Sequence, residues 1–194
     1  IQKELPELPY EKKERYLKDL QLPVQAVQIL VATKKLSFYF EEVLKLAYYP
    51  TLVANWITVE FAGRLKESGK QIWEIGLKAS HIAELILLIQ EGKITGKIAK
   101  QVADEMVLNP KKSPQALVAE NPDFQPVNNE EEIYLLVRQA LKENPQSIED
   151  YKAGKTKAFA FLVGQVMKLC KGKASPGKVN ELLLKALSED DLRI

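Results

Sequence analysis

The chain predicts an all-α fold, with a multi-helix domain over residues 1–125 followed by a small three-helix tail domain over residues 126–194. Three observations lead there. Apolar residues recur at three- and four-residue spacing along most of the chain. Almost no stretch alternates with period two. The breaks between periodic runs carry Pro, Gly, Asn or Ser, which start and stop helices. A length of 194 residues allows one or two domains, and 46% hydrophobic residues supply a core.

The elements follow in order. Glu4-Leu-Pro-Glu-Leu-Pro-Tyr10 reads as an extended connector, because proline disfavours helical backbone in the residue before it. A short helix over 11–19 carries Tyr16 and Leu17, with Leu20 beyond it. Pro23 opens a segment in which Ala26, Ile29, Leu30 and Thr33 keep helical spacing. Ser37 is placed to cap a helix ending at Leu46, with Phe40, Val43, Leu44 and Ala47 inward. After the break at Tyr48-Tyr49-Pro50-Thr51, an amphipathic run over 52–65 carries Val53, Trp56, Ile57, Glu60, Phe61 and Arg64. Ile72-Trp73-Glu-Ile75 reads as extended loop, with a fragment of strand as the alternative. Ser80 is placed to cap a helix to Ile89. A Gly-containing turn at 91–96 precedes a helix over 97–107, and Ser113-Pro114 supplies a cap and first helical position for a helix to Glu120.

Asn121-Pro-Asp-Phe-Gln-Pro126 is the domain boundary. Beyond it, a helix over 130–142 turns Ile133, Leu136, Val137, Ala140 and Leu141 inward, and Glu130, Glu131 and Glu132 suit its positive end. Asn144-Pro145 stops it. A short helical turn over 147–154 leads to a central helix over 155–171, closed by Gly172. Ser175-Pro176 opens a last helix to Leu187.

Composition excludes several function classes. With 28 basic and 26 acidic residues the net charge is +2, so no global basic field marks a nucleic-acid binder, and any such role needs a local patch. The single cysteine, Cys170, rules out an internal disulfide and a cysteine-based zinc site, and suits a reducing compartment. It ends an apolar stripe and reads as a buried, inert thiol. No apolar run reaches the roughly 18 residues of a membrane span. The N-terminus lacks the apolar core of a signal peptide, and a start at Ile1 rather than Met leads us to expect part of a longer chain. His81, the only histidine, reads as a surface or capping residue. Glu41-Glu42 and Glu130 to Glu132 read as solvated helix faces. Ala153-Gly-Lys-Thr156 has the end of a phosphate-binding loop, but Glu149 stands where its first glycine belongs.

The informative stretch is Tyr151 to Lys178, which holds seven lysines and no Asp or Glu. Within it Lys157, Phe161, Gly164, Lys168 and Lys171 share one helical face, while Phe159, Leu162, Val163, Val166 and Cys170 fill another. The lysine face spans roughly 20 Å, enough to cross several phosphates of a folded RNA. Gly164 is a place for either a ligand backbone or a neighbouring helix to come close, and Gly172 is expected to leave its turn's amides open. A solvated basic surface around an ordinary core helix is the alternative.

Glu149-Asp-Tyr-Lys-Ala-Gly-Lys155, Phe161-Leu-Val-Gly-Gln-Val-Met-Lys168, Lys171-Gly-Lys-Ala-Ser-Pro176 and Val179-Asn-Glu-Leu-Leu183 resemble the tail signature of the B subunit of glutamyl-tRNA(Gln)/aspartyl-tRNA(Asn) amidotransferase. Upstream, Glu4-Leu-Pro-Glu-Leu-Pro9, Tyr39-Phe-Glu-Glu42, Ala54-Asn-Trp56 and Ile94-Thr-Gly-Lys-Ile-Ala-Lys100 look like the helical region of that same protein, in the same order. The resemblance implies a helical domain joined to a tail shared with free-standing YqeY-like proteins.

It further implies a cytoplasmic ligase complex of protein biosynthesis. That complex phosphorylates and then amidates glutamate or aspartate misacylated on tRNA(Gln) or tRNA(Asn). The A and C subunits are the implied partners. ATP and magnesium belong to the parent complex, bound before the Glu4 to Pro9 connector, and no cofactor or metal is expected in this stretch. The stretch is expected to hold tRNA rather than to catalyse. Combining the charge pattern with the family's role, the tRNA contacts are expected at Lys155, Lys157, Lys168, Lys171, Lys173 and Lys178, with Gly154 and Gly172 admitting backbone. The alternatives are a helical protein-interaction module without RNA binding, or a free-standing YqeY-like protein.

Overall fold

The computed structural model describes residues 7–127 and 129–188. Every regular element among them is helical, as the sequence periodicity predicts. Contacts group the chain into two units, one of residues 1–90 and 100–120, the other of residues 91–99 and 121–194.

The first unit holds α1 (Pro9–Lys18), α2 (Val24–Leu30), α3 (Lys34–Leu46), α4 (Pro50–Asn55), a π-helical segment (Trp56–Phe61), α5 (Ala62–Leu65), α6 (Ala79–Gln90), the greater part of α7 (Gly96–Leu108) and α8 (Pro114–Glu120). Helix α6 packs against α3, α4 and α8. Its His81, Ile82, Ala83, Leu85, Ile86 and Leu88 are all buried, so it is enclosed on more than one face. His81 is therefore not a surface or capping residue. It is 8% exposed, and its Nδ1 has no hydrogen-bond partner among the described residues.

Several local expectations shift for identifiable reasons. Pro9 and Tyr10 lie inside α1, because proline at the first helical position has no N–H to leave unpaired; residues 1–6 of the connector lie outside the described residues. In α2 the buried residues are Val27 and Leu30, and Ile29 is exposed. Thr33, not Ser37, caps α3: its side chain accepts from the Leu36 amide at 3.1 Å. Ser37 is buried one turn further on and donates to the Lys34 carbonyl at 3.0 Å.

The run over 50–65 is helical throughout but widens at Trp56–Phe61. There Thr58 Oγ1 donates to the Ala54 carbonyl at 2.8 Å, a side-chain bond that competes with the helical ladder. The wider turn buries Trp56, Ile57, Thr58 and Phe61 together. Residues 72–75 form turns rather than extended loop. The cap at Ser113 is as expected, accepting from the Ala116 amide at 3.2 Å.

In the second unit, Asn121 caps a 3-10 turn at Pro122–Phe124 by accepting from the Asp123 amide. Three helices of thirteen or fourteen residues follow, α9 (Glu130–Glu143), α11 (Thr156–Leu169) and α12 (Pro176–Ser188), with the shorter α10 (Pro145–Lys152) between the first two. Helix α9 packs against α10, α11 and α12, and α11 against α10 and α12. Ile133, Val137, Ala140, Leu141, Leu162, Val166, Val179, Leu182, Leu183 and Ala186 form the core. Leu136, expected inward, is only partly buried at its margin.

Candidate nucleic-acid interface

Helix α11 divides as its apolar spacing requires. Leu162 and Val166 are buried, with Cys170 buried at the C-cap and donating to the Met167 carbonyl. Phe159 and Val163 pack partly buried against the same core. On the opposite side Lys157, Ala160, Phe161, Gly164 and Lys168 are exposed. A Cβ built at Gly164 meets nothing within 4 Å, so that glycine is open surface and no helix packs closely there. Eleven residues separate Lys157 from Lys168, about 16 Å along the axis and nearly in register around it.

The six candidate lysines separate into two groups. Lys155 Nζ pairs with Asp150 Oδ1 at 2.8 Å, Lys173 Nζ with Asp123 Oδ1 at 2.9 Å, and Lys178 Nζ with Glu130 Oε1. Each bond holds its carboxyl below the usual range: Lys155 acts on Asp150, Lys173 on Asp123 and Lys178 on Glu130. The hydrogen bond that Lys178 donates to Glu130 in turn raises the lysine. Lys157, Lys168 and Lys171 have no ion-paired carboxylate among the described residues, and all three are exposed. Sequence spacing treats the six alike. The structure finds acidic partners for three of them on α9, α10 and the 3-10 turn.

The two glycines also separate. Gly154 is exposed at φ +85°, and a Cβ built there meets nothing within 4 Å, so a ligand can come close. Gly172 is buried, which corrects its expected role. The chain leaves α11 through Lys171 at φ +53° and Gly172 at φ +73°. The amides of Lys171, Gly172 and Lys173 are spent on the carbonyls of Lys168, Met167 and Cys170, at 2.8–3.0 Å. Lys97 lies over the glycine: a Cβ there would come within 2.4 Å of Lys97 Cδ. Gly172 thus admits the side chain of Lys97, not a ligand.

Thr95 and Lys97 are the residues that the charge reading missed. Thr95 Oγ1 donates to the Gly172 carbonyl at 2.8 Å and accepts from the Ile98 amide at 3.3 Å; Lys97 Nζ donates to the Lys171 carbonyl at 2.7 Å. The loop after α11 is thereby tied to the start of α7. A threonine before Gly96 signals a helix start, but nothing in the sequence names a carbonyl 77 residues away as its second partner.

Among the described residues no three His, Cys, Asp or Glu side chains come together to hold a metal ion. The described residues do not fit a magnesium site. No described helix is long and apolar enough to cross a membrane.

These features define an all-α protein whose second unit exposes a lysine-bearing helix face. The family model described as the GatB domain matches residues 38–187, and the chain belongs to that family. Among similar proteins, the B subunit of the aspartyl/glutamyl-tRNA(Asn/Gln) amidotransferase of Protochlamydia amoebophila is 56% identical over 94% of this chain. The proteins of the same name from Chlamydia abortus and Chlamydia caviae are 44% and 45% identical over 97% of it. The chain spans 37–39% of the length of these curated relatives.

Proposed function

We propose that this chain is the tRNA-holding part of the B subunit of an ATP-dependent aspartyl/glutamyl-tRNA amidotransferase. It serves Glu-tRNA(Gln) or Asp-tRNA(Asn) in the cytoplasm alongside the A and C subunits. The observation that carries the reading is the exposed α11 face, with Lys157 and Lys168 unpaired among the described residues and Lys171 beyond them. Family membership and the names of the relatives supply the substrate class. Residues 1–125 act as the helical domain and 126–194 as the tail. ATP and magnesium are handled outside this stretch.

Lysine neutralises phosphate as a point charge and carries little base information, so tRNA discrimination rests on the shape of the folded RNA. Lys157, Lys168 and Lys171 make the first contacts. Lys155, Lys173 and Lys178 contribute only by exchanging a carboxylate for a phosphate, and Gly154 gives the RNA backbone room beside Lys155. The test is titration of an unmodified tRNA(Gln) or tRNA(Asn) transcript at several salt concentrations. Three phosphate contacts give a log–log slope of about −2 to −3. A flat response removes the reading and leaves a protein-interaction module.

A further inference from the structure

We infer that Phe161 is a stacking platform for one outward-facing base of the bound RNA. This deepens the proposed tRNA-holding role and rests on it. Phe161 is 47% exposed in the middle of α11, although partly buried places for aromatic side chains exist against the same core, as Phe159 and Tyr151 demonstrate with ring centroids 5.7 Å apart. Of the residues three and four positions away on the helix, Ala158 and Gly164 are small, and a Cβ built at Gly164 meets nothing within 4 Å. The ring therefore stands beside an open floor on which a flat group can lie.

Lys157 lies four residues before Phe161 and Lys168 seven after, on the same side of the helix. Neither has a carboxylate partner among the described residues, and the stretch from Tyr151 to Lys178 contains no acid. An apolar face for a protein partner has no need of this arrangement, whereas a nucleotide presents a flat base with a phosphate on each side. Base–aromatic stacking suits RNA, whose unpaired bases turn out of the helix. The occupant is thus a base whose flanking phosphates meet Lys157 and Lys168.

The experiment uses the chain, a tRNA(Gln) or tRNA(Asn) transcript, and the variants F161A, F161L, F161Y and K157A, each checked for unchanged helical signal. Stacking predicts that F161A weakens binding about 5- to 150-fold with an unchanged salt slope. It predicts that F161Y binds like the parent and that F161L falls with F161A. K157A instead flattens the slope. Retained affinity in F161L reduces the contact to plain apolar packing and overturns the inference. Retained affinity in F161A overturns it while K157A still upholds the RNA reading. If the parent chain binds no transcript but binds phosphatidylserine vesicles or an acidic peptide, both readings fall.

Discussion

Thr95 Oγ1 and the carbonyl of Gly172 lie 2.8 Å apart across 77 residues of sequence. With the Lys97 Nζ bond to the Lys171 carbonyl at 2.7 Å, this contact fixes the turn from which Lys171 and Lys173 project. The two carbonyls belong to residues in left-handed backbone conformation. A side chain at 172 therefore meets strain and crowding together.

G172A is expected to destabilise the protein by about 1–2 kcal/mol from backbone conformation alone, plus the cost of displacing Lys97. Lys97 is flexible, so it yields, but its hydrogen bond goes with it. The cost of G172A is accordingly smaller in a K97A background, and a double-mutant cycle on urea midpoints gives a coupling of about 0.5–1.5 kcal/mol. Strict additivity would place Lys97 away from the glycine.

Intramolecular acids compete with phosphate for half of the candidate lysines. D150N releases Lys155, and D123N releases Lys173. Each is expected to raise tRNA affinity and to steepen the salt slope by up to about 0.7. K157A and K168A move it the opposite way by the same amount, since each removes a contact already available. Unchanged affinity in D150N and D123N would leave Lys155 and Lys173 outside the interface.

Much of this was legible in the sequence because periodicity reports what a single helix buries. The inward sets of α9 and α11 follow from apolar spacing, Leu136 of α9 excepted, and Ser113 is recognisable as a cap because its partner is three residues away. What stayed hidden depends on partners far along the chain. Glu41 had the look of a solvated acid beside Glu42, but Lys12, Arg15 and Tyr16 of α1 converge on it. His81 shares one side of α6 with the buried Leu85 and Leu88, four and seven residues on, a spacing that its polar side chain disguises. The ion pair of Lys173 is made with Asp123, 50 residues upstream.

The Glu41 cluster makes stability depend on pH in a defined direction. Burial pushes the Glu41 carboxyl up, but hydrogen bonds from Arg15 at 2.6 Å, Tyr16 at 2.9 Å and Lys12 outweigh it and leave the group below its ordinary value. A carboxylate depressed in the folded state contributes stability above its unfolded pKa, near 4.3 for glutamate, and loses it as pH falls through the folded value. E41Q is expected to lower stability by about 1–3 kcal/mol at pH 7. The gap from the parent should narrow as pH drops from 5 to 3. Urea unfolding at pH 7 and pH 3.5 measures both; a gap that widens in acid contradicts the assignment.

Arg64 joins the π-helical segment and α5 to α7 within the first unit. Its Nη1 donates to the Glu60 carbonyl at 2.9 Å and to Glu60 Oε2 at 3.0 Å, its Nε to Asp104 Oδ1 at 2.6 Å, and its Nη2 to the Lys100 carbonyl at 2.8 Å. Lys100 Nζ reaches the other Glu60 oxygen at 3.0 Å. Burial raises Glu60, but hydrogen bonds from Lys100 and Arg64 overcome it and keep the carboxyl low. This is a planar fork serving four acceptors, which one ammonium cannot reproduce. R64A is expected to cost about 1–3 kcal/mol, with an unchanged urea m-value. R64K should recover less than half of that, because a single nitrogen cannot reach Glu60, Asp104 and the Lys100 carbonyl at once. Full rescue by lysine would reduce Arg64 to one charge among several and leave the fork geometry without consequence.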